Sequence, residues 1–250
     1  MKVSRGIFMK KICLIFGHHN TKNSFNSSIR DAFIDEAEKC GHVIDLINLF
    51  DEEEQLPFYR TDINPPPKKV LDYRERLENC DIMFLMSACH NLRMSGITEN
   101  WIDWVLHPKW FFSYKSLLPD SKFFGNYGYP VPGALKNKTG IVSITYGGPM
   151  ISYFNFSFFD NIPFRRLKKS VFALGGLKIK YLRFYSVLPI MSEKSFQKNI
   201  KKAKMNVEVY LKNPVGIGEH PDVLGAIQDQ IDLIAKEEER LEIIEKYFDD

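Results

Sequence analysis

The chain has 250 residues, 44% of them hydrophobic and 26% charged, the balance of a globular protein long enough to bury a substantial core. That composition excludes a disordered chain, and a formal net charge of +3 creates no field that would draw a nucleic acid. No apolar run reaches the roughly 20 residues of a membrane helix, and the opening MKVSRGIFMKK has no apolar region followed by a small-residue cleavage site. Cys13, Cys40, Cys80 and Cys89 lie far apart and form no CxxC pair, which fits reduced thiols. The expectation is a soluble, cytoplasmic protein with no membrane insertion and no nucleic-acid partner.

Residues 10–17, KKICLIFG, are a short, nearly continuous apolar run, the mark of a parallel strand covered on both faces. From Ser24 the period changes, with Ile29, Phe33 and Ala37 at helical spacing and Gly41 as a stop signal. HVIDLINLF, 42–50, reads as a second strand, so the chain opens with a β-α-β unit. Residues 51–67 are acidic and then proline-rich, a loop. A helix over 69–79 leads into a third strand, DIMFLMSA, 81–88, and a helix over 98–106 carries Ile97, Trp101, Trp104 and Val105 toward its apolar side.

Residues 107–137 are aromatic, rich in Gly and Pro and without period, and are expected to lack regular structure. KTGIVSITYG reads as a fourth strand, followed by a helix over 158–174. Its basic run of Arg165, Arg166, Lys168 and Lys169 has no interleaved aromatics to stack bases and reads as a solvated helix end. KIKYLRFYSV is a fifth strand, and Ser192 caps a helix bearing Phe196, Ile200, Ala203, Val207 and Leu211 on one face. A last helix over 222–248 has the stripe Ile227, Ile231, Ile234 and Leu241. The division expected is an extension over 1–9, an α/β domain over 10–213 and a helical appendage over 214–250.

Five strands alternating with helices predict a doubly wound five-stranded parallel sheet with helices on both faces. In such sheets a ligand sits beyond the carboxyl ends of the strands, and unusual segments follow strands one, three and four. After the first stands GHHNTKNSFNSSI, where small polar residues and open backbone N–H groups converge at a helix start suited to an anion. Ser24 or Asn26 there equally suits a plain helix cap. Neither GxGxxG nor GxxxxGKS occurs. After the third is MSACHNLRMSGITENWIDWVL. After the fourth is SITYGGPMISY, whose paired glycines let backbone amides approach a planar ring.

These motifs together resemble the flavodoxin-like NAD(P)H:quinone oxidoreductase family over roughly residues 10–210. The resemblance implies that His19, Ser24, Phe25 and Asn26 wrap a flavin's phosphates, with Asn23 in place of the usual threonine. It implies that the 88–92 segment, Ala88, Cys89, His90, Asn91 and Leu92, contacts the isoalloxazine edge. There Ala88 replaces a proline, Asn91 a tryptophan, Leu92 a phenylalanine and Ser95 a second proline. Thr145, Tyr146, Gly147 and Gly148 would face the flavin's pyrimidine end, and Tyr153 matches the tyrosine that hydrogen-bonds the reduced flavin. The partner histidine of that tyrosine falls at Phe159. Trp110, Phe112 and Tyr114 in HPKWFFSYKSL match an aromatic stretch lining the substrate pocket, for which plain core packing is the other reading.

The activity implied is hydride transfer from NAD(P)H through a flavin, FAD with FMN as the alternative, to a quinone or similar electrophile. A homodimer is implied as well, because in the resembled family the site forms between two subunits. The altered 88–95 segment leaves open a flavin-binding or regulatory module acting through a protein partner. A metal site of His18, His19, Cys89 and His90 lacks the spacing of known zinc motifs.

Overall fold

A computed structural model describes residues 9–116, 128–155, 160–187 and 193–212. The apolar run near the amino terminus forms β1 (Lys11–Gly17), buried along nearly its whole length. Helix α1 (Phe25–Lys39) starts at Ser24, whose hydroxyl accepts from the Ser27 N–H while Ser27 reaches back to the Ser24 N–H, a capping box. It ends before Gly41, where φ is +79°. Strand β2 (Val43–Asn48) follows, then α2 (Lys68–Glu78), β3 (Ile82–His90), the two-residue β4 (Arg93–Met94) and α3 (Gly96–Val105).

Residues 107–137 are not without regular structure as expected: they contain an antiparallel pair, β5 (Phe112–Ser116) and β6 (Gly128–Pro132). Pro130 and Pro132 hid β6, yet proline is tolerated in a two-stranded ribbon whose outer edges need no ladder partner. Strand β7 (Thr139–Thr145) returns to the main sheet, and the short β8 (Phe154–Asn155) and β9 (Asp160–Asn161) pair with each other. The single helix expected over 158–174 is instead α4 (Ile162–Arg166) running into a π-helical segment, Leu167–Phe172. Strand β10 (Lys178–Phe184) and α5 (Glu193–Lys212) complete the described fold. Ser192, Phe159, the boundary near 214 and the helix expected over 222–248 lie outside the described residues.

The main sheet has the order β2-β1-β3-β7-β10, every one of these pairs parallel, with β4 added antiparallel to the end of β3. In chain order this is 2-1-3-4-5, the flavodoxin-like arrangement. Alternate residues of the central strands meet different layers. Phe84 faces α1, where its ring meets Phe33 edge-on at 4.5 Å. Cys13, Ile15, Met83 and Leu85 face the other side and share a core with Tyr73 of α2 and Trp101 and Trp104 of α3. Burying each such large side chain stabilises the fold by roughly 1.5–3 kcal/mol. Among the described residues no helix is long and apolar enough to cross a membrane.

Below the sheet, at the amino ends of the strands, Lys138 Nζ donates to the carbonyls of Leu77, Glu78 and Cys80 at 3.2, 2.6 and 2.5 Å. These are acceptors left over at the end of α2, and the ammonium closes that helix against the start of β7.

Candidate functional site

The carboxyl ends of β1, β3 and β7 meet at one edge of the fold, as their parallel registers require. A buried hydroxyl cluster joins the first two. Ser95 Oγ donates to the Gly17 carbonyl at 2.7 Å and lies 2.8 Å from Thr98 Oγ1, while the Ser95 N–H donates to Ser87 Oγ at 3.1 Å. Gly17 must lack a side chain here, because a Cβ would lie 1.8 Å from Thr98 Oγ1.

Beyond Gly17 the chain turns through His18, half-buried, and His19, exposed, whose imidazoles stack at 4.6 Å. Burial lowers the His18 imidazole below its ordinary value, and the neighbouring His19 and His90 push the same way. Exposed Asn23 donates its N–H to Asn20 Oδ1 at 2.9 Å, and Ser24 Oγ donates to the Asn20 carbonyl at 2.8 Å. Ser24 is therefore the cap that organises this turn. Phe25 packs edge-on between Phe184 and Phe196, each 5.9 Å away. Asn26 is buried, and its Oδ1 accepts from Thr145 Oγ1 at 2.9 Å. The first and third motifs are thus in direct contact.

The segment after β3 is a tight hairpin rather than an open loop. Ala88 and Cys89 continue the strand half-buried, His90 pairs with Arg93, and Asn91 and Leu92 turn the chain with φ of 49° and 60°. Two successive positive φ values are the signature of the two-residue turns that fit a hairpin's twist. Leu92 is 42% exposed at the tip. Glu99 fixes the base: it accepts from the Met94 N–H at 2.9 Å and takes both Arg166 guanidinium nitrogens at 2.9 and 2.5 Å. Arg166 of the basic run is therefore paired, not merely solvated.

After β7, Thr145 and Tyr146 are buried and Gly147 and Gly148 half-buried. Tyr146 stacks on Tyr185 at 4.7 Å and lies 4.6 Å from the Tyr153 ring. The Gly148 N–H donates to the Tyr153 hydroxyl at 3.1 Å. This turn is tied to β10 by the Tyr146 N–H on the Phe184 carbonyl, 2.7 Å.

Trp110, Phe112 and Tyr114 stand elsewhere. Trp110 Nε1 donates to Glu78 Oε1 at 2.6 Å, and Arg74 lies 5.2 Å above its ring. Glu78 ends α2 next to Lys138 and the start of β3, so this cluster is at the amino end of the sheet. Phe112 is 8% exposed and Tyr114 64%. No three or more His, Cys, Asp or Glu side chains among the described residues could hold a metal ion.

Residues 10–211 match the family described as having a flavodoxin-like fold. The chain belongs to that family. Among solved structures, this flavodoxin-like chain is similar to an NAD(P)H:quinone oxidoreductase from Methanothermobacter marburgensis, with 13% identity over 79% of this chain and 97% of that one and a TM-score of 0.64. It is similar also to an FMN-dependent NADH-azoreductase from Bacillus anthracis in complex with FMN, with 14% identity, 81% and 100% coverage and a TM-score of 0.61. The flavoenzyme NAD(P)H:(acceptor) oxidoreductase of Paracoccus denitrificans gives 18% identity, 82% and 96% coverage and a TM-score of 0.53. No curated protein matches. The family resemblance read from the three motifs and this match agree.

Sequence reasoning missed the support beneath this flavodoxin-like site: Ser87, Ser95 and Thr98 as one hydroxyl cluster at the Gly17 carbonyl, Tyr185 under Tyr146, and Glu99 with Arg166 at the hairpin base. The spacing Ser95-x-x-Thr98 before a helix was the one signal available, and it reads first as a cap.

Proposed function

We propose that this chain is a flavin-dependent oxidoreductase that passes hydride from NAD(P)H to a quinone or a similar electrophile, with FMN as its flavin. The observation that carries the reading is the hydrogen bond from Thr145 to Asn26, which joins the start of α1 to the Gly147-Gly148 turn at the carboxyl end of the sheet. The names of similar proteins, quinone oxidoreductase and azoreductase, support the same chemistry.

The residues fit an FMN. Ser24 satisfies the Ser27 N–H, and the first two amides of α1, those of Phe25 and Asn26, lie outside the helix's own ladder and suit one phosphate group. A single such terminus favours FMN over the FAD implied by the sequence resemblance, and two similar proteins are named as complexes with FMN. A Cβ on Gly148 would stand in ordinary van der Waals contact with Tyr153 and Ser152, so neither neighbour demands a glycine there. Bound there, FMN would supply the hydride-transfer chemistry between a nicotinamide and an acceptor. Tyr153 accepts from the Gly148 N–H, which leaves its own phenolic proton to donate to a ligand oxygen and stabilise negative charge there. The 88–92 hairpin would hold the flavin through its backbone amides, as the sequence resemblance implies.

Trp110, Phe112 and Tyr114 complete a substrate pocket in this reading only if a second copy supplies them. Trp110, held by Glu78 at the end of α2, stands at the end of the sheet opposite the three loops. A homodimer resolves the separation. Four free cysteines and a reduced nicotinamide donor suit the cytoplasm.

The test is NAD(P)H oxidation by the FMN-loaded protein with menadione or an azo dye as acceptor. Turnover well above that of free FMN, reduced in kcat more than in KM by Tyr153→Phe, is expected. Tight FMN binding with no turnover would instead favour the regulatory module.

A further inference from the structure

Charge is distributed unevenly along the chain. Residues 128–207 hold 14 of its 34 Lys and Arg residues but only two Asp and Glu, Asp160 and Glu193. Much of this charge gathers where β10, the edge strand of the sheet, meets α5. Lys202 reaches from α5 to the Arg183 carbonyl at 3.1 Å and lies 5.4 Å from the Phe184 ring, and Ala203 is buried beneath the helix. The opposite side of α5 is exposed. Lys194, Lys198 and Lys201 recur there at spacings of four and three and form one stripe. Met205, four residues further on and 57% exposed, extends it.

We propose that the α5 stripe docks this protein on an anionic lipid bilayer. A ridge of lysines on a convex helix meets a flat charged surface, whereas a nucleic acid would call for a groove, aromatic platforms or the bidentate fork of arginine. Lysines near a membrane surface each strengthen binding by about fivefold, and an apolar residue beside them enters the headgroup boundary. The choice of lipid over another polyanion rests on the proposed function, because apolar quinones dissolve in bilayers and a reductase held at the surface meets them there. Docking on the surface needs no membrane-crossing segment.

The test is co-sedimentation of the full chain with vesicles, run without flavin or nicotinamide so that its failure stays separate from failure of the reductase reading. Binding is expected to vesicles of phosphatidylcholine and phosphatidylserine in a three-to-one ratio, not to phosphatidylcholine alone, and to be lost at raised salt. The triple variant K194Q/K198Q/K201Q is expected to bind on the order of a hundredfold more weakly with an unchanged melting temperature. K109Q, at an exposed lysine away from the stripe, is expected to bind as the parent does. Equal binding to both vesicle types, no binding, or equal weakening by K109Q would overturn the proposal. So would binding to a single-stranded oligonucleotide in place of vesicles.

Discussion

Thr145 at the end of β7 donates its hydroxyl hydrogen to Asn26 Oδ1 in the first turn of α1, 2.9 Å away and out of contact with water. A buried polar atom left without its partner costs about 1–3 kcal/mol, whereas removing both partners costs less than the sum. Asn26→Ala and Thr145→Val are each expected to destabilise the protein by that amount in urea denaturation. The double variant is expected to be less destabilised than the sum. Strict additivity would mean that the two residues do not act as a pair.

Gly17 is required by crowding rather than by backbone angle. Its absent Cβ would fall 1.8 Å from Thr98 Oγ1, within the hydroxyl cluster that ties β1 to α3. Gly17→Ala is expected to lower the melting temperature by several degrees, equivalent to about 1–3 kcal/mol of overpacking. Adding Thr98→Ala removes the colliding oxygen and is expected to recover part of the loss. A double variant worse than Gly17→Ala alone would contradict this account.

Lys138 holds three main-chain carbonyls at the far end of the sheet. Lys138→Met keeps the length and removes the donors, leaving acceptors that only water could satisfy. A loss of about 1.5–3 kcal/mol is expected in chemical denaturation, the range for bonds to a charged group. Flavin affinity is expected to stay constant, because this end lies opposite the proposed site.

The acid side of the stability curve is set in part by histidine. His42 is 4% exposed, its Nδ1 accepts from the Lys10 N–H at 3.2 Å, and burial with the Lys10 charge lowers its pKa below the ordinary value. Burial lowers His18 likewise. The unfolded chain therefore takes up protons first as pH falls through about 6.5, and folded stability drops there while remaining intact at higher pH. Urea midpoints are expected to fall between about pH 7.5 and about pH 5.5, and by less in His42→Gln. An unchanged midpoint across that range would refute the assignment.

Most of the sheet was legible because its signals are local. The KKICLIFG run, the Ser24 cap and the glycine pair after SITY each need only a few neighbouring residues to be read. The β3–β4 hairpin was not, because its turn uses Asn91 and Leu92 where the usual signal is Asn-Gly. Trp110, Phe112 and Tyr114 were read together with the site, since their aromatic character says nothing of which end of the sheet they occupy. That is decided by Trp110 meeting Glu78, a contact 32 residues apart in the chain. The Ser87, Ser95 and Thr98 cluster was hidden for the same reason: each hydroxyl is ordinary alone, and only the fold brings Ser87 and Ser95 onto the Gly17 carbonyl and Thr98 onto Ser87.

The measurement closest to the central claim is a fluorescence titration of the purified protein with FMN, with riboflavin and FAD in parallel. Saturable quenching at one FMN per chain is expected, tighter than riboflavin if the phosphate meets the start of α1 as proposed, and weakened in Asn26→Ala. Absence of saturable binding by all three would contradict the flavin site.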